Sequence, residues 1–223
     1  MNYSLIIPIY NEETTLEELL IQLNKLNNNI EIIIVNDGST DKTESILKNQ
    51  GLFKVINHLK NEGKGSSISS GIAHATNNTI ILMDGDLEID MNCISKAIKA
   101  HAVKSNHIII GSRWSSKNES EYSLNNYGNY FINYIFNALY KTDIKDVLCC
   151  VKVFNRDLFK SLKIKSTGFN IEMEIMSKLC LGGSIFHEID VIYKRRKSNQ
   201  GKKLKISDGW GILWTMLKIR FLK

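Results

Sequence analysis

The sequence predicts an α/β protein built on a mostly parallel, doubly wound sheet with helices on both faces. Three observations lead to this prediction. Apolar, β-branched runs recur along the first half of the chain, helical patterns lie between them, and a polar loop follows each run. Continuous Ile/Val strands separated by helices are typical of a parallel sheet that is covered on both sides. The 223 residues, of which 43% are hydrophobic, suffice to bury such a core.

The first half of the chain alternates regularly between the two kinds of element. The predicted strands are Tyr3–Ile9, Ile30–Asn36, Phe53–His58, Thr79–Met83 and His107–Gly111. The helical patterns between them are Thr14–Leu26, Asp41–Lys48, Gly65–Ala75 and Met91–Val103. The second half predicts a helix at Asn125–Tyr140, a strand at 151–154, a helix at Ile171–Leu181, a strand at Glu188–Tyr193 and a last helix from Asp208. We therefore expect one domain over residues 1–206, followed by a C-terminal helix over 207–223.

Polar loops follow all five strands of the first half. They read P-I-Y-N-E at 8–12, N-D-G-S-T-D at 36–41, N-E-G-K-G-S-S at 61–67, D-G-D-L-E at 84–88 and G-S-R at 111–113. In a doubly wound sheet, ligands bind beyond the carboxyl ends of the strands, where these loops would meet. Folding alone does not require such a concentration of polar residues, so it predicts a ligand site.

The acidic loop after the fourth strand raises the question of what neutralises it. Asp84 and Asp86 can turn both carboxylates toward one point, with Gly85 permitting the bend between them. Such oxygen ligands suit Mg²⁺ or Mn²⁺, which typically bind one or two carboxylates together with substrate phosphates. An EF-hand calcium loop is excluded, because Ile89 and Ser95 stand where that loop needs Gly and Glu.

Two other loops carry candidate ligand-binding residues. The N-E-G-K-G stretch is not a P-loop, since His58 stands at the first glycine position and Gly65 follows Lys64. Lys64 could contact a phosphate, or the stretch could be only the turn that enters a helix. Asp37 could accept a hydrogen bond from a base or a ribose hydroxyl, or it could help to cap the next helix.

The net charge of +6 is concentrated in one segment. Residues 194–205 carry seven cations and no acid, and the rest of the chain is close to neutral. Such a segment indicates a phosphate group, a lipid head group or nucleic acid as partner, or simply a solvated loop. Nucleic acid is disfavoured because no aromatic residue lies between these cations.

The chain reads as a cytoplasmic protein. Its four cysteines show no C-x-x-C spacing, the first apolar run is too short for a signal peptide, and no apolar stretch is long enough to span a membrane. The last helix would place Trp210, Leu213, Trp214, Leu217 and Phe221 on one face. Together with the preceding basic segment, this face suits a membrane interface at the inner side of the membrane, or packing on the sheet or on a partner chain.

Four of these motifs together carry a family resemblance. P-I-Y-N-E, V-N-D-G-S-T-D at 35–41, N-E-G-K-G and D-G-D resemble family-2 glycosyltransferases with the GT-A fold. The chain is most similar within that family to dolichyl-phosphate mannose synthase and other polyprenyl-phosphate glycosyltransferases, on G-S-R, Asp146, G-F-N-I-E-M-E at 168–174 and the basic stretch. The resemblance implies an inverting transfer of a sugar from a nucleotide-diphosphate sugar.

The resemblance also implies residue roles. Nucleotide-sugar-binding positions would be Pro8, Tyr10, Glu12, Asp37, Lys64 and Asp84. The ligands of Mg²⁺ or Mn²⁺ would be Asp84, Asp86 and Glu88, the last standing where the synthases usually carry glutamine. Catalysis would rest on Asp86, on Arg113 facing an acceptor phosphate, and on Glu174 as an acid near the acceptor.

The identity of the acceptor stays open at this point. The lipid-phosphate synthases read S-G-F-R where this chain reads Cys149-Cys150-Val151-Lys152, and lysine lacks the bidentate fork of arginine. A phosphate acceptor would need cations, for which Lys152, Arg196 and Lys203 are candidates besides Arg113. A hydroxyl acceptor, as in polysaccharide synthesis, would need a general base, and Glu174 is the candidate. A nucleotide-sugar-binding subunit without turnover is a further alternative.

Overall fold

One mixed sheet forms the centre of the protein. The computed structural model describes residues 2–26, 30–114, 124–196 and 206–222. Its strands are β1 (Tyr3–Ile9), β2 (Ile30–Asn36), β3 (Lys54–Asn57), β4 (Thr79–Leu82), β5 (Ile108–Ser112), β6 (Lys152–Asn155) and β7 (Phe186–Asp190). They lie in the order β3-β2-β1-β4-β6-β5-β7. Of these seven described strands, β6 runs antiparallel to its two neighbours, and the remaining pairs are parallel. The predicted, mostly parallel sheet is confirmed.

Helices cover both faces of the sheet, as predicted. They are α1 (Leu16–Asn24), α2 (Thr43–Lys48), α3 (Lys64–His74), α4 (Asn92–Val103), α5 (Leu124–Tyr140), α6 (Arg156–Leu162), α7 (Ile171–Leu181) and α8 (Ile206–Phe221). Successive side chains of a strand point to opposite faces, so Leu5 and Ile7 join one core and Ile6 joins the other. The first core contains side chains of α1, α2 and α4, and the second contains side chains of α3 and of α5 to α8.

The sequence of the central strands explains their position in the sheet. Leu5, Ile6, Ile7, Ile33 and Ile34 are completely buried, because β1 and β2 are covered on both faces. Burying one such side chain contributes about 1.5–3 kcal/mol to folding. Near-continuous Ile runs therefore specify interior strands, and the polar residues that end them lie together at one edge of the sheet.

Helix α7 is the most enclosed helix of the second core. Ile171, Met173, Ile175 and Met176 have no exposed surface. Helices α5 and α8 both pack against α7, and α8 also contacts α5. The predicted C-terminal helix is thus present as α8 and buries part of its surface on other helices. No helix among the described residues is both long enough and apolar enough to cross a membrane.

Two elements of the second half differ from the sequence prediction. Helix α6 was not predicted, although Asn155 caps it by accepting hydrogen bonds from the N–H groups of Asp157 and Leu158. Strand β7 begins and ends earlier than predicted. The residues after it run in an extended path, where Tyr193 forms an isolated antiparallel bridge with Ile89. This path brings residues 191–196 across the acidic loop that follows β4.

Candidate active site

A cavity of about 590 Å³ lies at the carboxyl ends of the parallel strands. It is where a doubly wound sheet places its ligand. The predicted site residues that line it are Pro8, Tyr10, Glu12, Asp37, Lys64, Asp84, Asp86, Glu88, Arg113 and Arg196. Lys152 and Glu174 do not line it. Lys203 lies outside the described residues, so its predicted role in acceptor binding stays a prediction.

The acidic loop after β4 brings the carboxylates of Asp84, Asp86 and Glu88 close enough for their charges to interact. Burial and the nearby charges of Asp84 and Glu88 together raise the pKa of Asp86 to about 7, against the opposing effects of the Glu88 backbone N–H and of Arg196. The Oδ1 atom of Asp86 accepts a 3.1 Å hydrogen bond from the backbone N–H of Glu88. Gly85 is needed in this turn, because an added Cβ would lie 2.4 Å from the Ile9 side chain.

The side chain of Lys64 is in direct contact with this loop. Its Nζ atom lies 2.8 Å from Oδ1 of Asp84 and 2.9 Å from Oε1 of Glu172. Burial alone would lower the pKa of Lys64, but the two carboxylates raise it well above its usual value. Lys64 therefore stays charged and links the β4 loop to α7.

Glu172 is a site residue that the sequence analysis missed. It is buried and lines the cavity. Its Oε2 atom forms an ion pair with Lys152, which is also buried and also donates to the carbonyl oxygen of Cys149. Burial opposes ionisation, yet Lys152 and Lys64 hold the pKa of Glu172 below its usual range. Lys152, predicted to bind an acceptor phosphate, is instead the buried partner of Glu172, and this corrects the prediction.

Glu174 points away from the cavity. Residues two apart on a helix are about 200° apart around its axis, so Glu172 and Glu174 cannot face the same space. The Glu174 carboxylate accepts hydrogen bonds from the backbone N–H groups of Lys165 and Ser166, at 3.0 and 2.6 Å, and pairs with Lys178 at 2.6 Å. The prediction that Glu174 acts as an acid near the acceptor does not fit this position; its contacts fix a loop.

Asp37 does not cap α2. Its carboxylate is held instead by residues of the segment that follows β3. Its Oδ1 atom accepts hydrogen bonds from Glu62 N–H at 3.0 Å and contacts His58 Nδ1 at 2.8 Å, and its Oδ2 atom accepts from Gly63 N–H at 2.8 Å. His58 Nε2 in turn contacts the Ser70 hydroxyl at 2.9 Å. Gly63 has φ 96°, a conformation that favours glycine. Asp37 thus has a fixed orientation at the cavity wall.

Arg113 is fixed in the cavity by Asp146. Its Nε and NH2 groups each donate a 2.8 Å hydrogen bond to a different oxygen of Asp146, and its backbone N–H donates a third at 3.0 Å. The guanidinium carbon lies 5.6 Å from the centre of the Tyr193 ring. A bidentate pair of this kind fixes the plane of the guanidinium group.

The extended segment after β7 adds a second guanidinium. Arg196 donates to Oε2 of Glu12 at 2.7 Å and to the Thr15 hydroxyl at 2.9 Å. Its backbone N–H donates to Oε1 of Glu88 at 3.0 Å. Arg195 also lines the cavity. Arg196 thereby connects the end of β1 to the acidic loop, and its predicted contact with an acceptor stays a prediction.

Comparison with known proteins assigns this arrangement to a family. The model of the family described as Glycosyl transferase family 2 matches residues 4–163, most of the chain and all of the loops at the ends of β1 to β5. The chain belongs to glycosyltransferase family 2. The fold is the GT-A fold of that family, and the resemblance drawn from the sequence motifs is confirmed.

Two family relatives have descriptions that name a lipid phosphate. The chain is 33% identical to the dolichol-phosphate mannosyltransferase of Pyrococcus furiosus over 189 residues, which are 80% of this chain and 53% of the relative. It is 30% identical to a dolichyl-phosphate β-glucosyltransferase of Trichomonas vaginalis over 177 residues, which are 71% of this chain and 54% of the relative. The chain thus spans about half the length of both relatives.

A solved structure confirms the fold. The glucosyl-3-phosphoglycerate synthase of Mycobacterium tuberculosis, crystallised with Mn²⁺, uridine diphosphate and phosphoglyceric acid, superposes with a TM-score of 0.76 at 15% identity. The match covers 99% of this chain and 78% of that one. At this identity the likeness supports the fold alone.

The carboxylates of Asp84 and Asp86, which follow β4, are suited to bind a divalent cation. Among the described residues, no three acidic, histidine or cysteine side chains converge closely enough to hold a metal by themselves. Mg²⁺ and Mn²⁺ in phosphate-transfer sites typically take only one or two carboxylates and complete their shell with substrate phosphates. Burial and the charge of Asp84 raise the pKa of Asp86, and a divalent cation at these carboxylates would favour the ionised form of Asp86.

Proposed function

We propose that this family-2 glycosyltransferase is an inverting enzyme that transfers a sugar from a nucleotide-diphosphate sugar to a polyprenyl phosphate. The observation that carries the proposal is one cavity that is lined both by crowded carboxylates and by guanidinium groups held in place by ion pairs. Carboxylates with a divalent ion suit a diphosphate leaving group, and guanidinium groups suit a phosphate acceptor. The descriptions of two relatives, which name dolichyl phosphate, support the same acceptor class.

The donor would lie against the ends of β1, β2 and β4. Pro8 and Tyr10 would contact the nucleoside, and Asp37, held by His58 and two backbone amides, would accept a hydrogen bond from the base. Asp84 and Asp86 would hold Mg²⁺ or Mn²⁺ at the diphosphate, with Glu88 next to them. A bound divalent ion would neutralise the charge that develops on the leaving nucleotide diphosphate.

Lys64 would bind the donor phosphates as well. Its ammonium group contacts Asp84 and Glu172 and lines the same cavity, so a diphosphate oxygen could join these partners. Because Glu172 is anchored by Lys152, it would keep Lys64 directed at the diphosphate. Glu172 would thus act on the donor side, whereas the sequence analysis expected Glu174 near the acceptor.

A phosphate acceptor suits the acceptor side better than a hydroxyl. A phosphate is already an anion and can attack the sugar C1 directly: the new C1–O bond forms on the face opposite the diphosphate while the old C1–O bond breaks. Arg113 would position it, with Arg195 and Arg196 nearby. A hydroxyl would need a general base. Glu174 does not reach the cavity, and Glu172 is paired with two ammonium groups that make it a weak base.

This function would place the enzyme at the surface of a membrane. A polyprenyl phosphate is held in a bilayer by its hydrocarbon chain. The four cysteines are free thiols, as expected in a reducing compartment. We therefore retain the cytoplasmic location that the sequence predicted, at the membrane's inner face.

Thermal melting tests the donor half of the proposal. A ligand that binds only the folded protein raises its melting temperature. We expect one nucleotide-diphosphate sugar among UDP-, GDP-, CDP- and dTDP-sugars to raise it, with a larger shift when Mn²⁺ is added. Asp86→Asn should lose the Mn²⁺-dependent part of the shift. The matched control is Asp90→Asn in the same loop, because the exposed Asp90 side chain accepts a hydrogen bond from Asn92 N–H just before α4 and asparagine can do the same.

Turnover separates an enzyme from a nucleotide-sugar-binding subunit. An enzyme should release the nucleotide diphosphate when donor and a short-chain polyprenyl phosphate are both present, and Asp86→Asn should not. Binding of the donor without any release would assign the chain to the non-catalytic alternative. Absence of a shift with all four nucleotide classes would contradict the proposal.

A further inference from the structure

Ser67 is a buried polar residue of the cavity wall to which the proposed function gives no role. It lies near the start of α3, lines the cavity and has no exposed surface. Its hydroxyl group has no hydrogen-bond partner among the residues that the structure describes. The large majority of buried polar side-chain atoms in proteins have a partner, so an exception that borders a ligand cavity calls for an explanation.

The other three serines of α3 have surroundings that satisfy their hydroxyl groups. Ser66 donates to the carbonyl oxygen four residues earlier at 3.0 Å, and Ser70 contacts His58 Nε2 at 2.9 Å. Ser69 is exposed to solvent. A serine inside a helix usually either faces water or bonds to the carbonyl oxygen four residues earlier, and Ser67 does neither. The missing partner is therefore particular to Ser67 and not a general property of this helix.

The packing of α3 places Ser67 over the carboxyl end of β1. Helix α3 packs on β1 and β2, and it begins at the edge of the sheet where these strands end. Gly71 lies over Ile6 and Val35, since an added Cβ would come 2.4 Å from the first side chain and 3.2 Å from the second. Ser67 is one helical turn earlier, and a turn of about 5.4 Å is close to two strand residues, about 6.6 Å. Ser67 therefore lies near Pro8.

This position is between the two acids that the donor is proposed to contact. Strand β1 lies between β2 and β4, so Asp37 and Asp84 follow the strands on its two sides. The start of α3 contacts both acids, because Gly63 N–H donates to Asp37 and the Lys64 ammonium group pairs with Asp84. With the base at Asp37 and the diphosphate beside Asp84, the ribose that joins them would lie over the end of β1, opposite Ser67.

We propose that Ser67 is a donor-binding residue whose hydroxyl group forms a hydrogen bond with a hydroxyl of the nucleotide's ribose. The inference rests on the proposed function and deepens it, because the position of the ribose follows from the proposed orientation of the donor. A serine hydroxyl can both donate and accept, which suits a ribose hydroxyl that can do the same. The donor would thus supply a partner for a group that has none among the described residues.

A double-mutant cycle between protein and nucleotide tests this pairing. Calorimetric titration with Mn²⁺ would compare wild type and Ser67→Ala, using the nucleoside diphosphate of the donor identified by melting and its 2′-deoxy and 3′-deoxy analogues. We expect Ser67→Ala to weaken binding of the ribonucleotide about tenfold, on the scale of one neutral hydrogen bond. One of the two deoxy analogues should bind equally to both proteins, because it already lacks the hydroxyl that Ser67 would contact.

Ser177→Ala is the matched control for this substitution. Ser177 is also a completely buried serine, it lies in α7, and it does not line the cavity. Its replacement should leave all three nucleotide affinities unchanged. Ser67→Ala should not lower the melting temperature of the free protein, because the hydroxyl that it removes has no partner among the described residues. A purely structural serine would lower that temperature and weaken the three nucleotides alike.

Two results would overturn the inference alone. Ser67→Ala could bind the ribonucleotide as tightly as the wild type does, or it could weaken binding of the ribonucleotide and of both deoxy analogues by the same factor. Either result would leave the proposed sugar transfer intact. Failure of the wild type to bind any nucleoside diphosphate would instead overturn the proposed function, and the role of Ser67 with it.

Discussion

Two groups of cavity residues are positioned in different ways. Asp37, Asp84 and Arg113 each lie in a loop at the end of a strand, so the sheet determines where they meet. Glu172, in contrast, comes from a helix, and Arg196 comes from the extended segment after β7. Whether a helical residue faces the cavity depends on the rotation of its helix and on the partners of its neighbours. Strand-end residues can thus be placed from sequence, and helical ones cannot.

Replacing an acid on the donor side should have the largest effect on the rate of sugar transfer. Asp84→Asn removes one of the two carboxylates proposed to hold a divalent ion, while the Lys64–Glu172 pair stays intact. We expect the transfer rate to fall by about a thousandfold, because charge on the leaving diphosphate is no longer stabilised. The measurement is nucleotide release over a range of Mn²⁺ concentrations. A variant with normal rate and normal Mn²⁺ dependence would remove the acidic loop from the mechanism.

Separate substitutions of the two acids of α7 test the distinction between Glu172, which lines the cavity, and Glu174, which does not. Glu172→Gln should lower transfer by about a hundredfold, on the scale of removing one electrostatic group from a site. It should also lower the free energy of unfolding by about 3–5 kcal/mol, because Lys152 remains buried without its partner. Glu174→Gln should leave transfer within a few-fold, since its carboxylate contacts only a loop and Lys178.

A double variant separates activity from stability at Glu172. Glu172→Gln with Lys152→Met removes both members of the buried ion pair, so it should recover most of the lost stability. It should not recover transfer, since Lys64 still lacks its second carboxylate. Recovery of both together would mean that Glu172 serves only the core. Equal losses of transfer in the Glu172 and Glu174 variants would contradict the distinction drawn between them.

Arg113→Lys tests the acceptor side with a smaller change. Lysine keeps the positive charge but cannot make the bidentate pair with Asp146. We expect the KM for polyprenyl phosphate to rise about tenfold, the cost of about one charge-assisted hydrogen bond. The donor-induced melting shift should be unchanged. A loss of donor binding with an unchanged acceptor KM would move Arg113 to the donor side.

The smallest effect is expected from a substitution at the start of α6, which does not line the cavity, and it should concern stability alone. Asn155→Ala removes the side chain that caps α6, so the free energy of unfolding should fall by about 1 kcal/mol. Urea unfolding measures this change. Transfer activity at a temperature well below the melting point should not change, and a large loss of activity would show that the β6–α6 corner affects the site.

Much of the fold and of the donor side could be predicted from the sequence. Near-continuous Ile runs specify strands such as β1, which has the predicted bounds, and the parallel sheet then brings Asp37 and Asp86 to one edge. Helix α6 was missed because seven residues give too short a pattern, although its Asn155 cap was readable. Glu172 was missed because its selection over Glu174 depends on burial and on Lys152, which no local pattern encodes.

The stereochemistry of a single product tests the central claim most directly. Wild-type protein would be incubated with Mn²⁺, a short-chain polyprenyl phosphate and the donor sugar identified by melting, whose α-anomeric configuration is known. NMR of the product should show a sugar joined through C1 to the lipid phosphate with β configuration, because attack comes from the face opposite the diphosphate. A product with retained α configuration, or transfer only to hydroxyl acceptors, would contradict the proposed transfer.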